Sequence, residues 1–192
     1  MNPFSPLAII IPSYNESKNL ETLIPWILRV TPGVTVIVID DSRDDEARKI
    51  TAFLKKLRSP SILYTHRTKK GGRGSAVLDG LKTALKKKTI KWMMEMDADL
   101  GHNPDEIPRF WEKRFSADLI IGSRYMDGSE ILDWPMRRRI QSKLINFFLR
   151  YWLGLKLTDF TDGYRMYTRD VVAYLSTCDM IETGFISLSE IA

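Results

Sequence analysis

Met94-Glu95-Met96-Asp97-Ala98-Asp99-Leu100 is the stretch that decides the fold. The apolar run Trp92-Met93-Met94 leads into it and reads as a strand leaving a core. Side chains alternate along a strand, so Asp97 and Asp99 are expected on one side. Two carboxylates that close repel unless a cation lies between them. Mg²⁺ and Mn²⁺ take hard oxygen ligands, commonly one or two carboxylates completed by substrate phosphates. The stretch therefore reads as a metal and diphosphate site at the C-terminal end of a central strand. The alternative is a strand-ending turn whose aspartates cap the next helix.

Working outward, strands and helices alternate. Residues 7–11 form a short apolar run ended by Pro12, a buried strand in pattern. Residues 13–17 read as a loop, and 19–30 as a helix with Leu20, Leu23, Ile24 and Ile27 at helical spacing. Residues 35–39 are a second buried strand, ending at Asp40-Asp41. An amphipathic helix over 44–57 follows, then a short strand over 61–65. Gly71-Gly72-Arg73-Gly74 opens another helix. Asn103-Pro104 marks a helix start, and 118–122 a fifth strand. This order predicts an α/β fold, a mostly parallel sheet with helices on both faces. Ligands of such sheets bind beyond the carboxyl ends of the strands. Tyr14, Glu16, Asp40, Asp41, Asp97, Asp99 and Ser123 all fall there.

Composition bounds the rest. The chain has 192 residues, 44% hydrophobic and 28% charged, which predicts one domain over 1–192. A single cysteine, Cys178, excludes an intramolecular disulfide and a multi-cysteine zinc site. No N-terminal stretch reads as a signal peptide, and no apolar run approaches the ~18 residues of a bilayer span. The net charge of +5 is clustered and points to an anionic partner. Residues 136–155 are helical in pattern and apolar over most of the circumference, with Lys143, Asn146 and Arg150 as a polar stripe. Arg137, Arg138 and Arg139 lead the segment. It reads either as a core helix with a basic start or as a helix on a membrane surface facing lipid phosphates.

The order of motifs resembles family-2 glycosyltransferases of the dolichol-phosphate mannose synthase type. The matching stretches are Ile10-Ile11-Pro12-Ser13-Tyr14-Asn15-Glu16, Val38-Ile39-Asp40-Asp41-Ser42, Gly74-Ser75-Ala76, residues 96–104 and Ile121-Gly122-Ser123-Arg124-Tyr125. Trp134-Pro135, Arg138, Ser142, Asp159, Gly163-Tyr164-Arg165 and Gly184-Phe185 complete the set. The resemblance implies a GT-A-type fold and a divalent cation, Mg or Mn. It implies a nucleotide sugar donor, GDP-mannose, and a polyprenyl phosphate acceptor such as dolichyl phosphate. The reaction would invert the anomeric centre. The acceptor is already an anion, so positioning and charge stabilisation would carry catalysis.

Residue by residue, the resemblance implies that Asp97 and Asp99 hold the metal, with Asp97 also on the donor. Pro12, Tyr14 and Glu16 resemble the base- and ribose-binding loop. Asp40 and Asp41 resemble acidic residues that meet the nucleobase; a capping pair with Ser42 is the alternative. Arg73 would face the diphosphate, and Lys69 and Lys70 would be a solvated basic face. Arg124, Arg138 and Ser142 match the acceptor-phosphate site, and Arg124 counts with Asp97 and Asp99 among the catalytic residues. Ser123-Arg124 is expected at the end of a strand beside the Asp97 strand. His102 reads as a structural residue at a helix start.

The chain departs from the pattern at Gly101, where some relatives carry Gln, and at Asp162, where many carry Ser. It stops at Ala192 inside an apparent helix over 185–191, where relatives continue with a basic hairpin and sometimes transmembrane helices. The expected location is the cytoplasmic face of a membrane, peripheral through 136–155 unless further segments span it. A related transferase using a UDP-sugar is the nearest alternative. A sugar nucleotidyltransferase would open with a basic glycine-rich loop after the first strand, where this chain has Ser13-Tyr14-Asn15-Glu16. A processive polysaccharide synthase would carry a Gln-x-x-Arg-Trp signature, which is absent. A nucleic-acid-binding module is supported only by charge, and no nucleic-acid partner is expected.

Overall fold

The computed structural model describes residues 2–126, 136–154 and 157–178, apart from the side chains of Arg138 and Leu153. Trp134-Pro135 and Gly184-Phe185 lie outside the described residues, as does the apparent helix over 185–191. Four strands carry the left and centre of the sheet: β1 (Leu7–Ser13), β2 (Thr35–Asp40), β3 (Ile62–His66) and β4 (Trp92–Glu95). β1 pairs in parallel with both β2 and β4, and β2 pairs in parallel with β3. Their near-continuous apolar runs fit strands covered on both faces. β1 and β2 bury every residue but Pro12 and Thr35.

The right side departs from the predicted order. A sixth strand, β6, is Arg165–Thr168; β5 is Leu119–Ile121. The sheet order is β3-β2-β1-β4-β6-β5, with β6 antiparallel to both β4 and β5. β5 is therefore separated from β4, and Ser123-Arg124 follow a strand two places from the Asp97 strand, not beside it. β6 escapes a periodicity reading because its buried side chains include Arg165, which no hydrophobic pattern flags.

The helices cover both faces as predicted. α1 (Ser17–Val30) and α2 (Asp44–Leu57) lie over one face with α4 (Ile107–Lys113), which follows a single 3₁₀ turn at Pro104–Glu106. They pack on Ile9, Ile11, Val36, Val38, Met94 and Met96. α3 (Arg73–Leu85) and α6 (Arg169–Leu175) pack on Ala8, Ile10, Ile37, Ile39 and Met93. The two sets alternate along each strand, as period two requires. α3 approaches so closely that a Cβ on Gly80 would overlap the Ile10 side chain.

α5 (Met136–Leu153) is inverted relative to an ordinary surface helix. Ser142 and Asn146 are buried, whereas Leu144 is 62% exposed, Phe147 72%, Tyr151 84% and Trp152 74%. Of the polar stripe read from sequence, Lys143 and Arg150 are exposed while Asn146 faces the protein. Among the described residues no helix is long and apolar enough to cross a membrane.

Candidate active site

The decisive aspartates stand just beyond β4, in the turn after Glu95. Alternation nevertheless persists: Met96 and Ala98 are buried, while Asp97 is half-buried and Asp99 exposed. Neither aspartate caps the next helical turn. That cap is Asn103, whose side chain accepts the Asp105 N–H at 2.9 Å. The Asp99 carboxylate instead accepts the Gly101 N–H at 2.9 Å, across Leu100 at φ 64°. A leucine in the left-handed region costs free energy and persists only where the surroundings impose it.

Two further groups fix Asp97. His102 Nδ1 accepts the Asp97 N–H at 3.1 Å, and His102 Nε2 lies 3.2 Å from Asp162 Oδ1. This network assigns the proton to Nε2. Burial lowers the basicity of His102, but the Asp162 hydrogen bond and the Asp97 charge outweigh it and the net shift is upward. The ring stacks on Tyr164 at 4.8 Å, which holds its plane. Arg73 Nε donates to Asp97 Oδ1 at 2.8 Å, and its Nη1 to Glu95 Oε2 at 3.1 Å. Arg73 is thus not in an open turn. It is buried beside the carboxylates, because Glu95 and Asp97 offset the cost of burying its charge. Glu95, fully buried, also accepts the Tyr167 hydroxyl at 2.5 Å and lies 4.0 Å from Arg165 Nε. Burial, then the Glu95 charge, push the Tyr167 pKa well up, so this hydroxyl stays a donor.

On the β1–β3 side the loops are tied together. Asn15 N–H donates to Ser42 Oγ at 2.7 Å, and Arg43 N–H to Asn15 Oδ1 at 3.3 Å. Pro12 ends this side half-buried. Glu16 accepts from Asn19 Nδ2 at 2.5 Å. Tyr14 is 42% exposed, and the Lys70 ammonium lies 3.4 Å from its ring centroid. Lys70 is exposed, as expected of a solvated basic face, and it also covers one face of the ring expected to pack on a base.

The two acidic residues after β2 differ. Asp40 is fully buried and accepts from Ser42 N–H at 3.2 Å, Ser42 Oγ at 2.5 Å and the Tyr64 hydroxyl at 2.8 Å. The capping alternative describes it, and its carboxylate faces the interior. Asp41 takes a two-pronged bond from Arg67, Nε at 2.5 Å and Nη2 at 2.6 Å, plus the Gly71 N–H at 3.0 Å. Arg67 also reaches Ser75 Oγ at 2.9 Å and Asp79 at 2.8 Å. It fastens the glycine-rich turn to the start of α3. Sequence reading missed it; the available signal was its place directly after β3.

Beyond β5, Arg124 is clamped. Its Nε donates to Asp159 Oδ2 at 2.7 Å, and its Nη2 to Asp159 Oδ1 at 2.8 Å and Thr161 Oγ1 at 2.7 Å. Burial raises the Asp159 pKa, but Arg124 overcomes that and the net shift is downward. Arg124 Nε also lies 3.2 Å from Asp162 Oδ2. Asp162, noted from sequence only as a departure, therefore links the Asp97 turn, through His102, to Arg124. Ser142, expected on the acceptor phosphate, lies on the inner face of α5. It is 9% exposed, and its Oγ accepts the Tyr125 hydroxyl at 2.5 Å. Asn146 Oδ1 accepts the Phe160 N–H at 2.7 Å, so the inward polar face of α5 anchors the 159–162 loop. Arg138 lies in the first turn of α5, its side chain outside the described residues.

The donor set fits a hard divalent cation held jointly with a ligand. Among the described residues no three metal-ligating side chains converge, so Asp97 and Asp99 alone would contribute. One oxygen of each is hydrogen-bonded to the protein. Two carboxylates with coordination completed by phosphate oxygens and water is the usual Mg²⁺ arrangement.

Comparison with known proteins agrees with this geometry. The model for glycosyl transferase family 2 matches residues 8–175. The chain is 34% identical to polyprenol monophosphomannose synthase from Mycolicibacterium smegmatis over 96% of its length and 70% of that protein's. It is 36% identical to undecaprenyl-phosphate mannosyltransferase from Micrococcus luteus, over 91% of this chain and 70% of that one. Among solved structures, it resembles glucosyl-3-phosphoglycerate synthase from Mycobacterium tuberculosis, solved with Mn²⁺, UDP and glucosyl-3-phosphoglycerate. The TM-score is 0.67 at 17% identity, covering 96% of this chain and 63% of that one. The mannosyltransferase PcManGT from Pyrobaculum calidifontis, solved with GDP-Man and Mn²⁺, matches with a TM-score of 0.56 at 17% identity, covering 91% of this chain and 48% of that one. With the family's model spanning β1 to the end of α6, and with paired carboxylates beyond a parallel strand, the chain belongs to glycosyl transferase family 2.

Proposed function

We propose that this chain transfers mannose from GDP-mannose to a membrane polyprenyl phosphate, with inversion, giving a lipid-linked sugar and GDP. The observation that carries this reading is Asp162. It lies 3.2 Å from His102 on the Asp97 turn and 3.2 Å from Arg124, so the donor side and the acceptor arginine stand one carboxylate apart. The relatives' names supply the sugar and the lipid class.

Asp97 and Asp99 would hold the divalent cation, which would supply charge stabilisation to the diphosphate leaving group. His102 and Arg73 keep Asp97 in position, so little reorganisation is left for the reaction itself. Tyr14 and Glu16 line the base and ribose side, and Asp41 holds the glycine-rich turn through Arg67 and Gly71. Arg124, oriented by Asp159, presents charge to the acceptor phosphate together with Arg138. A phosphate oxygen then attacks the anomeric carbon as the bond to the diphosphate breaks. No strong base is required, because the nucleophile enters as an anion.

The exposed face of α5, with Leu144, Phe147, Phe148, Tyr151 and Trp152 outward, lies on the membrane surface and brings the lipid head group to Arg138 and Arg124. Residues 136–155 supply a peripheral attachment at the cytoplasmic leaflet, unless further segments of the protein span the membrane. The test is a donor screen with polyprenyl phosphate in vesicles. Mannosyl lipid formed from GDP-mannose supports the reading. Preference for UDP-glucose moves it to the UDP-sugar alternative, and no lipid product from any donor overturns it.

A further inference from the structure

We propose that Arg73 is the resident cation of the Asp97–Asp99 turn, and that its charge keeps a divalent metal out until a nucleoside diphosphate enters with it. This inference rests on the metal role of Asp97 and Asp99. Arg73 Nε holds Asp97 Oδ1 at 2.8 Å and Nη1 holds Glu95 Oε2 at 3.1 Å, with the side chain only 9% exposed. Gly163 is part of the same device. A Cβ there would overlap Arg73 Nη2 and come within 3.4 Å of Asp97 Oδ2, so a side chain at 163 would push the pair apart.

The charge balance follows. Glu95, Asp97 and Asp99 face two guanidiniums, Arg73 and Arg165, the latter 4.0 Å from Glu95. These five side chains sum to one net negative charge, and Asp162 beyond His102 is met by Arg124. A dication gains little from so small a field, and it must sit beside a buried guanidinium that cannot lose its proton. A nucleoside diphosphate brings several negative charges and reverses the balance. Arg73 then serves two ends: it orients Asp97 before the ligand arrives, and it makes metal and diphosphate bind as a pair. A metal-first order would leave the carboxylates bridged by an ion with no reaction to perform.

The test uses Mn²⁺ paramagnetic resonance on purified protein, alone and with GDP, with GDP alone as control. Wild-type protein is expected to bind Mn²⁺ at least tenfold more tightly with GDP than without. Arg73→Met is expected to bind Mn²⁺ alone at least tenfold more tightly than wild type, while Arg73→Lys, which keeps the charge, stays close to it. If wild type takes Mn²⁺ equally well with and without GDP, or a folded Arg73→Met binds it no better, the proposal is overturned while the metal site stands. If no Mn²⁺ binds even with GDP, the metal site itself is wrong. Should Arg73→Met fail to fold by circular dichroism, Arg73→Gln, which also removes the charge, is measured in its place with the same expected gain of at least tenfold.

Discussion

Replacing Asp159 by alanine should weaken both the fold and the acceptor side. The carboxylate is fully buried and accepts both prongs of Arg124, at 2.7 and 2.8 Å, as well as the Thr161 N–H at 3.1 Å and the Thr161 hydroxyl at 3.1 Å. Removing one partner of a buried ion pair costs about 3–5 kcal/mol. Arg124 is 22% exposed, so water recovers part of its solvation, leaving roughly 2–4 kcal/mol. At about 2–4 °C per kcal/mol for a chain of this size, the melting midpoint should drop by ~4–16 °C. Arg124 holds the Asp159 pKa below the ordinary value, so the folded state binds this proton less readily than the unfolded chain. The contribution is therefore complete above the ordinary aspartate range and is lost as the pH falls through the depressed value. Urea unfolding of wild type and Asp159→Ala from pH 7 down to about pH 3 reads this directly. The stability gap should be constant near neutrality and shrink in acid. An unchanged midpoint at pH 7, or a gap that does not narrow in acid, would refute the clamp.

Asp99→Ala should cut turnover about 100-fold or more while leaving the melting midpoint nearly unchanged, since several kcal/mol of charge stabilisation vanish from an exposed side chain; full activity in the variant, or in excess chelator, contradicts the metal role. Asp41→Ala should release Arg67 and the Gly71 N–H and raise the Kd for GDP about tenfold, measured by calorimetry, whereas Asp40→Ala should chiefly lower stability because Tyr64 and Ser42 lose a buried acceptor. Equal effects of the two on GDP affinity would undo that division. Phe147→Ser with Trp152→Ser should reduce co-sedimentation with anionic vesicles about tenfold or more, since burying one large side chain contributes about 1.5–3 kcal/mol; unaltered vesicle binding would point away from α5. Arg138→Ala should raise the acceptor KM about tenfold, by ~1.5–3 kcal/mol of charged hydrogen bonding, and more than Arg137→Ala or Arg139→Ala. Equal losses in all three would leave only a diffuse basic patch.

Much of this architecture was legible in the chain because the buried parallel strands are written as uninterrupted apolar runs. β1, β2 and β4 announce themselves, and the polar residues just past them mark the site edge. What escaped depends on partners far apart in sequence. β6 buries Arg165 and Tyr167 beside Glu95, and only the folded sheet makes those polar side chains interior. Arg67 meets Asp41 across 26 residues and Arg124 meets Asp159 across 35, so neither clamp has a local signature. For α5 the polar stripe was readable, but a period cannot say which stripe faces the protein. Here Ser142 and Asn146 turn inward, because the Tyr125 hydroxyl and the Phe160 N–H need partners there. Ser142 thus holds the Tyr125 hydroxyl from the inner face of α5.

The most direct measurement follows the oxygen atoms. Polyprenyl phosphate labelled with ¹⁸O in its phosphate, incubated with GDP-mannose, Mg²⁺ and the protein in vesicles, should yield mannosyl lipid that keeps the label in full. The released GDP should carry none, and the sugar should be β-linked by nuclear magnetic resonance. Label in GDP, an α-linked product, or undiminished transfer by Asp99→Ala would contradict inverting attack by the acceptor phosphate at the Asp97–Asp99 site.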